Sequence, residues 1–330
     1  MIRNFSIASA ILLQAVLLSA QSNDIEALYR AGVQALERDR PFEAIELLNR
    51  VAAVNPAFRD VQLLLGQSCY LAGLTRPAKQ HLERALEVNP RHPQAALLLG
   101  LLLHEEERHV EAAAALERAR NLNPQSPYAS IYRGLSLLKL GRARESRADL
   151  ERAMSLAPQE PVARWALAEL ELAEGNFGKA ETLLRRVLAQ APKNVAAKTL
   201  LGRTLFESGR PAEAVGTFTD VLKVSPYRTE VLYLLAQALL RSGKTKEGQA
   251  ALARFQKQRA VDEEARVLEG AVTVDRDDTS SRIRLARLLL NQGQASRALP
   301  HVAVLLELLP SDSRVLELAE ELERRGGAIR

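Results

Sequence analysis

Six consecutive residues, His104-Glu105-Glu106-Glu107-Arg108-His109, hold the densest run of chemistry-bearing side chains in this 330-residue sequence. Two histidines flanking a glutamate can bind zinc and activate a water when both rings face one side of a helix, which needs a spacing of four. Here the spacing is five. On a continuous helix that turns the second ring about 140° from the first, and the run falls where a turn is expected, so it reads as a solvated charge run. His81, His92 and His301 are scattered and form no ligand set by spacing. Cys69 is the only cysteine, so no intramolecular disulfide forms, and it falls on the apolar side of an expected helix as a small buried hydrophobe. The carboxylate pairs Glu105 and Glu107, and Glu169 and Glu171, are of the kind that a charged helical surface carries. No phosphate-cradling loop, nucleophile elbow or dinucleotide turn is present. The residues name no catalytic constellation, no metal site and no cofactor, and the chain is read as a non-enzyme.

The elements that position these side chains are set by a period. Pro56, Pro90, Pro124, Pro158, Pro192 and Pro226 each follow the last by 34 residues. A fixed spacing of this length marks an array of helix-turn-helix units that stack because none buries its apolar face alone. In the unit from Arg59 to His92, Leu65, Gly66 and Cys69 follow helical spacing, Gly73 breaks the chain, and Ala78, Leu82 and Ala85 rise again before Asn89-Pro90. Two amphipathic helices joined by a short turn result. Gly66 lets the partner helix approach closely, and Gly73 ends the first helix in the left-handed conformation.

The pattern recurs with Gly100, Ala112, Leu116 and Ala119, with Gly134, Ser146, Leu150 and Ala153, and onward through Gly202, Ala214, Phe218 and Val221. Small or Leu-Gly in the first helix, Ala, then Leu or an aromatic, then Ala in the second, and a closing Pro resemble the tetratricopeptide repeat. The resemblance covers nearly all of the chain after the leader. It departs at position four, where the family's Trp is replaced by Leu28, Gln62, Ala96, Ser130, Arg164 and Lys198 in the first six units. It implies an all-α solenoid of about eight repeats with a C-terminal capping helix. Seven repeats are expected over 21–258, a helical insertion over 259–278, an eighth repeat over 279–312, and a cap and tail over 313–330. The insertion follows from sixteen extra residues between Ala253 and Thr273, read as an extended second helix or one additional helix.

With each unit counted so that its closing proline is position 32, the resemblance implies that positions 2, 5, 9, 12, 13, 33 and 34 line a concave groove. Position five then supplies Tyr29, Leu63, Leu97, Ile131, Trp165 and Tyr233, position nine Arg203 and Gln237, and position twelve Tyr70 and Phe206. The groove is expected to be apolar at its start and mixed later, and to hold a protein or peptide segment with spaced apolar side chains. The Lys and Asn that clamp a chaperone C-terminus in this family are absent from positions five and nine.

Composition fits this reading. Hydrophobic residues make up 47% and charged residues 26%, and the formal charge is only +5, with both signs interspersed, so no nucleic-acid partner is indicated. Residues 1–20 differ in kind, with Arg3 before a mostly apolar run from Phe5 to Leu18 and small Ser19-Ala20 ahead of polar residues. This reads as a signal peptide and places the protein in the periplasm or cell envelope, with an uncleaved anchor as the alternative because Leu18 stands where a small residue is preferred. No membrane span is expected in the mature chain. The expected function is an exported scaffold or adaptor. The alternatives are an assembly factor of an envelope machine such as a pilus, secretion or polysaccharide-export system, and a glycan-binding protein using Trp165 and Tyr233.

Overall fold

The computed structural model describes residues 24–275 and 277–325. The leader expected over 1–20 lies outside them. Seventeen helices and no strand are found among the described residues. Unit one pairs α1 (24–37) with α2 (Pro41–Val54), and unit two pairs α3 (Val61–Leu71) with α4 (Thr75–Val88). Units three and four are α5 (Pro93–Glu105) with α6 (His109–Leu122), and α7 (Pro127–Lys139) with α8 (Ala143–Leu156). Units five and six are α9 (Pro161–Ala173) with α10 (Phe177–Gln190), and α11 (Val195–Glu207) with α12 (Pro211–Val224). Unit seven joins α13 (Thr229–Arg241) to α14 (Thr245–Val274), unit eight is α15 (Thr279–Asn291) with α16 (Ala295–Leu308), and α17 (Ser313–Arg324) closes the array.

Each hairpin turn is built at one position. Gly73, Gly141, Gly175, Gly209, Gly243 and Gly293 have φ between +68° and +81°, a region that a β-carbon disfavours. Units one and three hold the same geometry without glycine, at Asp39 (φ 56°) and Glu107 (φ 60°). Within a unit, a glycine of the first helix receives a large side chain of the second. A Cβ on Gly66 would lie 2.7 Å from Leu82 Cγ, and one on Gly100 2.5 Å from Leu116 Cγ. Position eight must therefore be small wherever position 24 carries Leu or Phe.

In units two to five the missing family Trp at position four is replaced by hydrogen bonding to the closing turn before it. Gln62 Nε2 donates to the Pro56 carbonyl at 3.1 Å, and the Arg164 guanidinium donates to the Pro158 carbonyl. Where position four is Ala96 or Ser130, an arginine of the second helix substitutes: Arg118 donates to the Pro90 carbonyl and Arg152 to that of Pro124 at 3.0 Å. Two of the scattered histidines serve the same joint, His81 meeting Gln62 at 2.9 Å and His301 meeting Arg282 at 3.5 Å. They are structural partners of position four.

From α3 to α13, each first helix touches the first helix of the next unit, whereas the second helices do not touch one another. The first helices are thus the more tightly spaced row, and the stack curves with them on the inside. One seam is missing: α13 and α15 make no contact. The sixteen extra residues form neither a separate helix nor a loop, because α14 runs unbroken for 30 residues. It carries α15 beyond reach of α13, and the buried clusters on either side, Ala168 to Ala251 and Ala265 to Leu322, are separate. α17 packs Val315, Leu318 and Leu322 inward and leaves its Glu and Arg residues in solvent, as a capping helix must.

Candidate functional site

The inner face is the row of first helices, and its side chains are set by whether the next first helix covers them. Leu63 and Ile131 are buried and offer no surface to a ligand. Phe206 is nearly closed as well, with the Arg241 guanidinium from α13 lying 4.5 Å over its ring. These expected groove residues are packing residues instead, since at each of them the following unit is stacked directly against the helix. Tyr29 and Leu97 are half-buried, Tyr29 edge-on to Phe58 at 5.5 Å with Arg59 over both rings. Trp165 is half-buried and packs into the clusters on both its sides, and its indole N–H is buried without an acceptor. Tyr233 differs from the rest of position five: it is 42% exposed and stacks at 5.1 Å on Phe255 of α14. Leu240, about two turns further along α13, is 41% exposed.

Much of the inner face is stitched from unit to unit by polar pairs. The Tyr70 hydroxyl donates to Glu105, His104 meets Ser136 at 2.9 Å, and Lys139 donates to Glu169 at 2.8 Å. Burial, and then the bond to Glu105, raise the Tyr70 pKa. Arg203 pairs within its own helix with Glu207 at 3.5 Å, and Gln237 is half-buried beside it along the row. The exposed large apolar side chains at the expected groove positions include Leu71, Tyr128, Tyr227, Tyr233 and Leu240, so they are spread from unit two to α13. At Tyr233 and Leu240 the cause is the missing seam: no first helix of a following unit is stacked on α13 to cover its position five and position twelve.

The histidine run of unit three also differs from expectation. His104 ends α5 and His109 begins α6, and the reverse turn through Glu107 brings their rings to 5.3 Å, where a continuous helix would have separated them. The Ser136 hydroxyl spends its proton on the Tyr132 carbonyl at 2.9 Å, so His104 Nδ1 must donate to it. Burial foremost, with His109 and Lys139 nearby, lowers the His104 pKa. Among the described residues no group of three or more His, Cys, Asp or Glu is placed to hold a metal ion. Cys69 is buried, and burial pushes its thiol up to about 11, which leaves it unreactive. No described helix is long and apolar enough to cross a membrane.

Known proteins resemble this arrangement. Family models described as tetratricopeptide repeat match residues 75–129, 137–204 and 205–268, together more than half of the chain. No curated protein sequence matches. Among solved structures, a tetratricopeptide repeat protein from Parabacteroides merdae is 20% identical with a TM-score of 0.59, covering 72% of this chain and 93% of that one. PilW, titled a widely conserved type IV pilus biogenesis factor, is 17% identical with a TM-score of 0.56, covering 65% and 98%. The human IFIT1 dimer is 16% identical with a TM-score of 0.55 and covers 90% of this chain and 82% of that one. At these identities the likeness is one of fold, and it agrees with the family match and the repeat geometry. The chain belongs to the tetratricopeptide repeat family, whose members bind protein partners.

Proposed function

We propose that the protein is an exported scaffold that holds a partner protein segment along its inner face, with Tyr128, Trp165, Tyr233 and Leu240 as the apolar contacts. The observation that carries this reading is the pair Tyr233 and Leu240, two large side chains about two turns apart on one face of α13, left open where the equivalent positions of other units are mostly covered. Exposed aromatic and aliphatic side chains beside satisfied polar pairs suit a peptide with spaced apolar anchors, which supply most of the affinity in such interfaces. The composition of residues 1–20 supports export to the periplasm or cell envelope.

The test uses exposed residues, because replacing buried Phe206 would confuse binding with folding. Cross-linking capture from envelope extract, with the unmodified protein beside a Tyr128→Ala, Tyr233→Ala, Leu240→Ala variant, should yield a partner held at least tenfold less by the variant at unchanged helicity. Equal capture by both proteins would remove the inner face as the binding surface.

A further inference from the structure

α14 buries Ala251, Gln258, Ala265 and Val272, a stripe at seven-residue intervals. Seven residues are about two turns, so the stripe keeps to one side of the long helix. α13 packs on its first half and α15 on its second. The polar residue of the stripe, Gln258, lies where neither covers it fully: it donates to Asp262 at 2.9 Å, and Asp262 in turn accepts from Thr229 at the start of α13.

The lost seam also changes α15. In units two to seven, position ten of the first helix faces the preceding unit, and Ser68, Leu102, Ser136, Leu170, Thr204 and Ala238 are at most 1% exposed. In α15 that position is Leu288, which is partly open, and one turn before it position six is Arg284, which is exposed. α15 therefore presents to solvent the face that an internal unit closes. Between it, α14 and the start of α13 lies a cleft of about 760 Å³. Leu232, Val261, Leu288 and Tyr227 form its apolar walls. Arg254, Lys257, Arg284 and Arg287 stand around it with one carboxylate, Glu264. Arg284 bonds Glu264 at 2.7 Å and Arg287 reaches Glu317 at 3.4 Å, whereas Arg254 and Lys257 have no ion-pair partner among the described residues. Gln292 also lines the cleft and is only 9% exposed. Its Oε1 accepts from Gln294 at 2.9 Å, but its Nε2 has no hydrogen-bond partner. That nitrogen is itself closed to solvent, so Gln292 contributes to the wall of the cleft and not to its polar contacts.

We propose that this cleft is a second peptide site, which takes a short acidic amphipathic segment of a partner protein. Its apolar side chains enter between Leu232, Val261 and Leu288, and its carboxylates meet Arg254 and Lys257. Charge decides the sign of the occupant, since a basic segment would add cations to a surface that already has them in excess. The apolar walls decide its amphipathic character, because an anion without apolar groups leaves them exposed to water. The proposal rests on the scaffold reading above in taking the protein for a binder of peptide segments, but it uses different residues, so the two fail separately.

The experiment is fluorescence anisotropy on the full-length protein with three labelled probes: an amphipathic peptide of Glu and Leu, its Lys and Leu counterpart, and a Glu and Ser counterpart. The Glu and Leu peptide should bind, with affinity at least tenfold lower in an Arg254→Glu, Lys257→Glu variant and several-fold lower in the neutral Arg254→Gln, Lys257→Gln variant. Both positions are exposed, and circular dichroism checks that each variant keeps its helicity. Affinity should stay within twofold in the Tyr128→Ala, Tyr233→Ala, Leu240→Ala variant, the Glu and Ser peptide should bind at least tenfold more weakly, and the Lys and Leu peptide should not bind. Absence of binding by the Glu and Leu peptide overturns the proposal, as does equal binding by the charge-reversed variant or by the Glu and Ser peptide. Displacement by a single-stranded oligonucleotide would assign the cleft to a nucleic acid and overturn it too. Loss only in the Tyr128, Tyr233, Leu240 variant would overturn the cleft while leaving the inner-face scaffold standing.

Discussion

Position eight shows how one atom fixes a repeat. Gly100 lies against Leu116 so closely that a Cβ would sit 3.2 Å from the Leu116 backbone nitrogen as well as 2.5 Å from its Cγ, so relief would need a shift of the helix itself. Gly100→Ala should therefore destabilise the protein by about 1–3 kcal/mol through overpacking, although alanine is the better helix former. Gly270 meets nothing within 4 Å on an exposed face of α14. There the same change should stabilise by about 0.5–1 kcal/mol, and urea denaturation of the two variants will show opposite signs if the close approach is the cause. His301 gives a residue-scale prediction in pH. Burial, and then Arg282 and Arg297, lower its pKa to about 4. The folded state therefore binds its proton less readily than the unfolded chain, whose histidine titrates near 6.5. The stability this neutral ring supports is fully present above about pH 6.5 and is lost as pH falls toward about 4. In His301→Gln the decline in stability across that window should be shallower, and a thermal-melt series that stays parallel to the unmodified protein would contradict it.

Helices are held to their neighbours by different chemistry at different joints. Units three and four meet at Asp149 of α8, which is 3% exposed and binds Arg120 of α6 at 2.7 Å and Arg133 of α7. Removing the carboxylate leaves Arg133 buried without its main partner, and loss of one member of a buried pair costs about 3–5 kcal/mol. Asp149→Ala should lower the denaturation midpoint accordingly, whereas Glu145→Ala, which removes an exposed pair with Arg142, should change it little. At the next joint Arg147 of α8 reaches Glu171 of α9 at 2.9 Å and also bonds Glu174 at its end, a second arginine link between units. α14 is the exception among the elements, since its length removes the α13–α15 seam and leaves a helix to do what a helix pair does elsewhere.

At the scale of the molecule, that single helix divides the array. In a stack whose units touch only their neighbours, stability propagates through interfaces, and here the interface between α13 and α15 is absent. Native-state hydrogen exchange should find the cluster from Ala265 to Leu322 opening at a lower free energy than that from Ala168 to Ala251, which is the larger of the two. Equal protection of both, lost together in denaturant, would mean that α14 alone transmits cooperativity. The repeat, the all-α class, the hairpin turns at Gly73 and its equivalents, and the cap were legible in the sequence, because each rests on local patterns: apolar spacing, a left-handed turn residue and a closing proline recur at a fixed interval. The surface was legible only in part. Tyr233 could be placed on the inner face from its position number, but so could Leu63 and Ile131, and only the stacking of the next unit determines which of them meets solvent. The sixteen extra residues could be counted in the chain, yet their effect required the structure: a helix that continues unbroken, a seam that does not form, and a cleft whose cations come from α14 and α15 together. Residue spacing along one chain sets which side of a helix a group occupies, and the packing of distant segments against that side sets whether the group is core or surface.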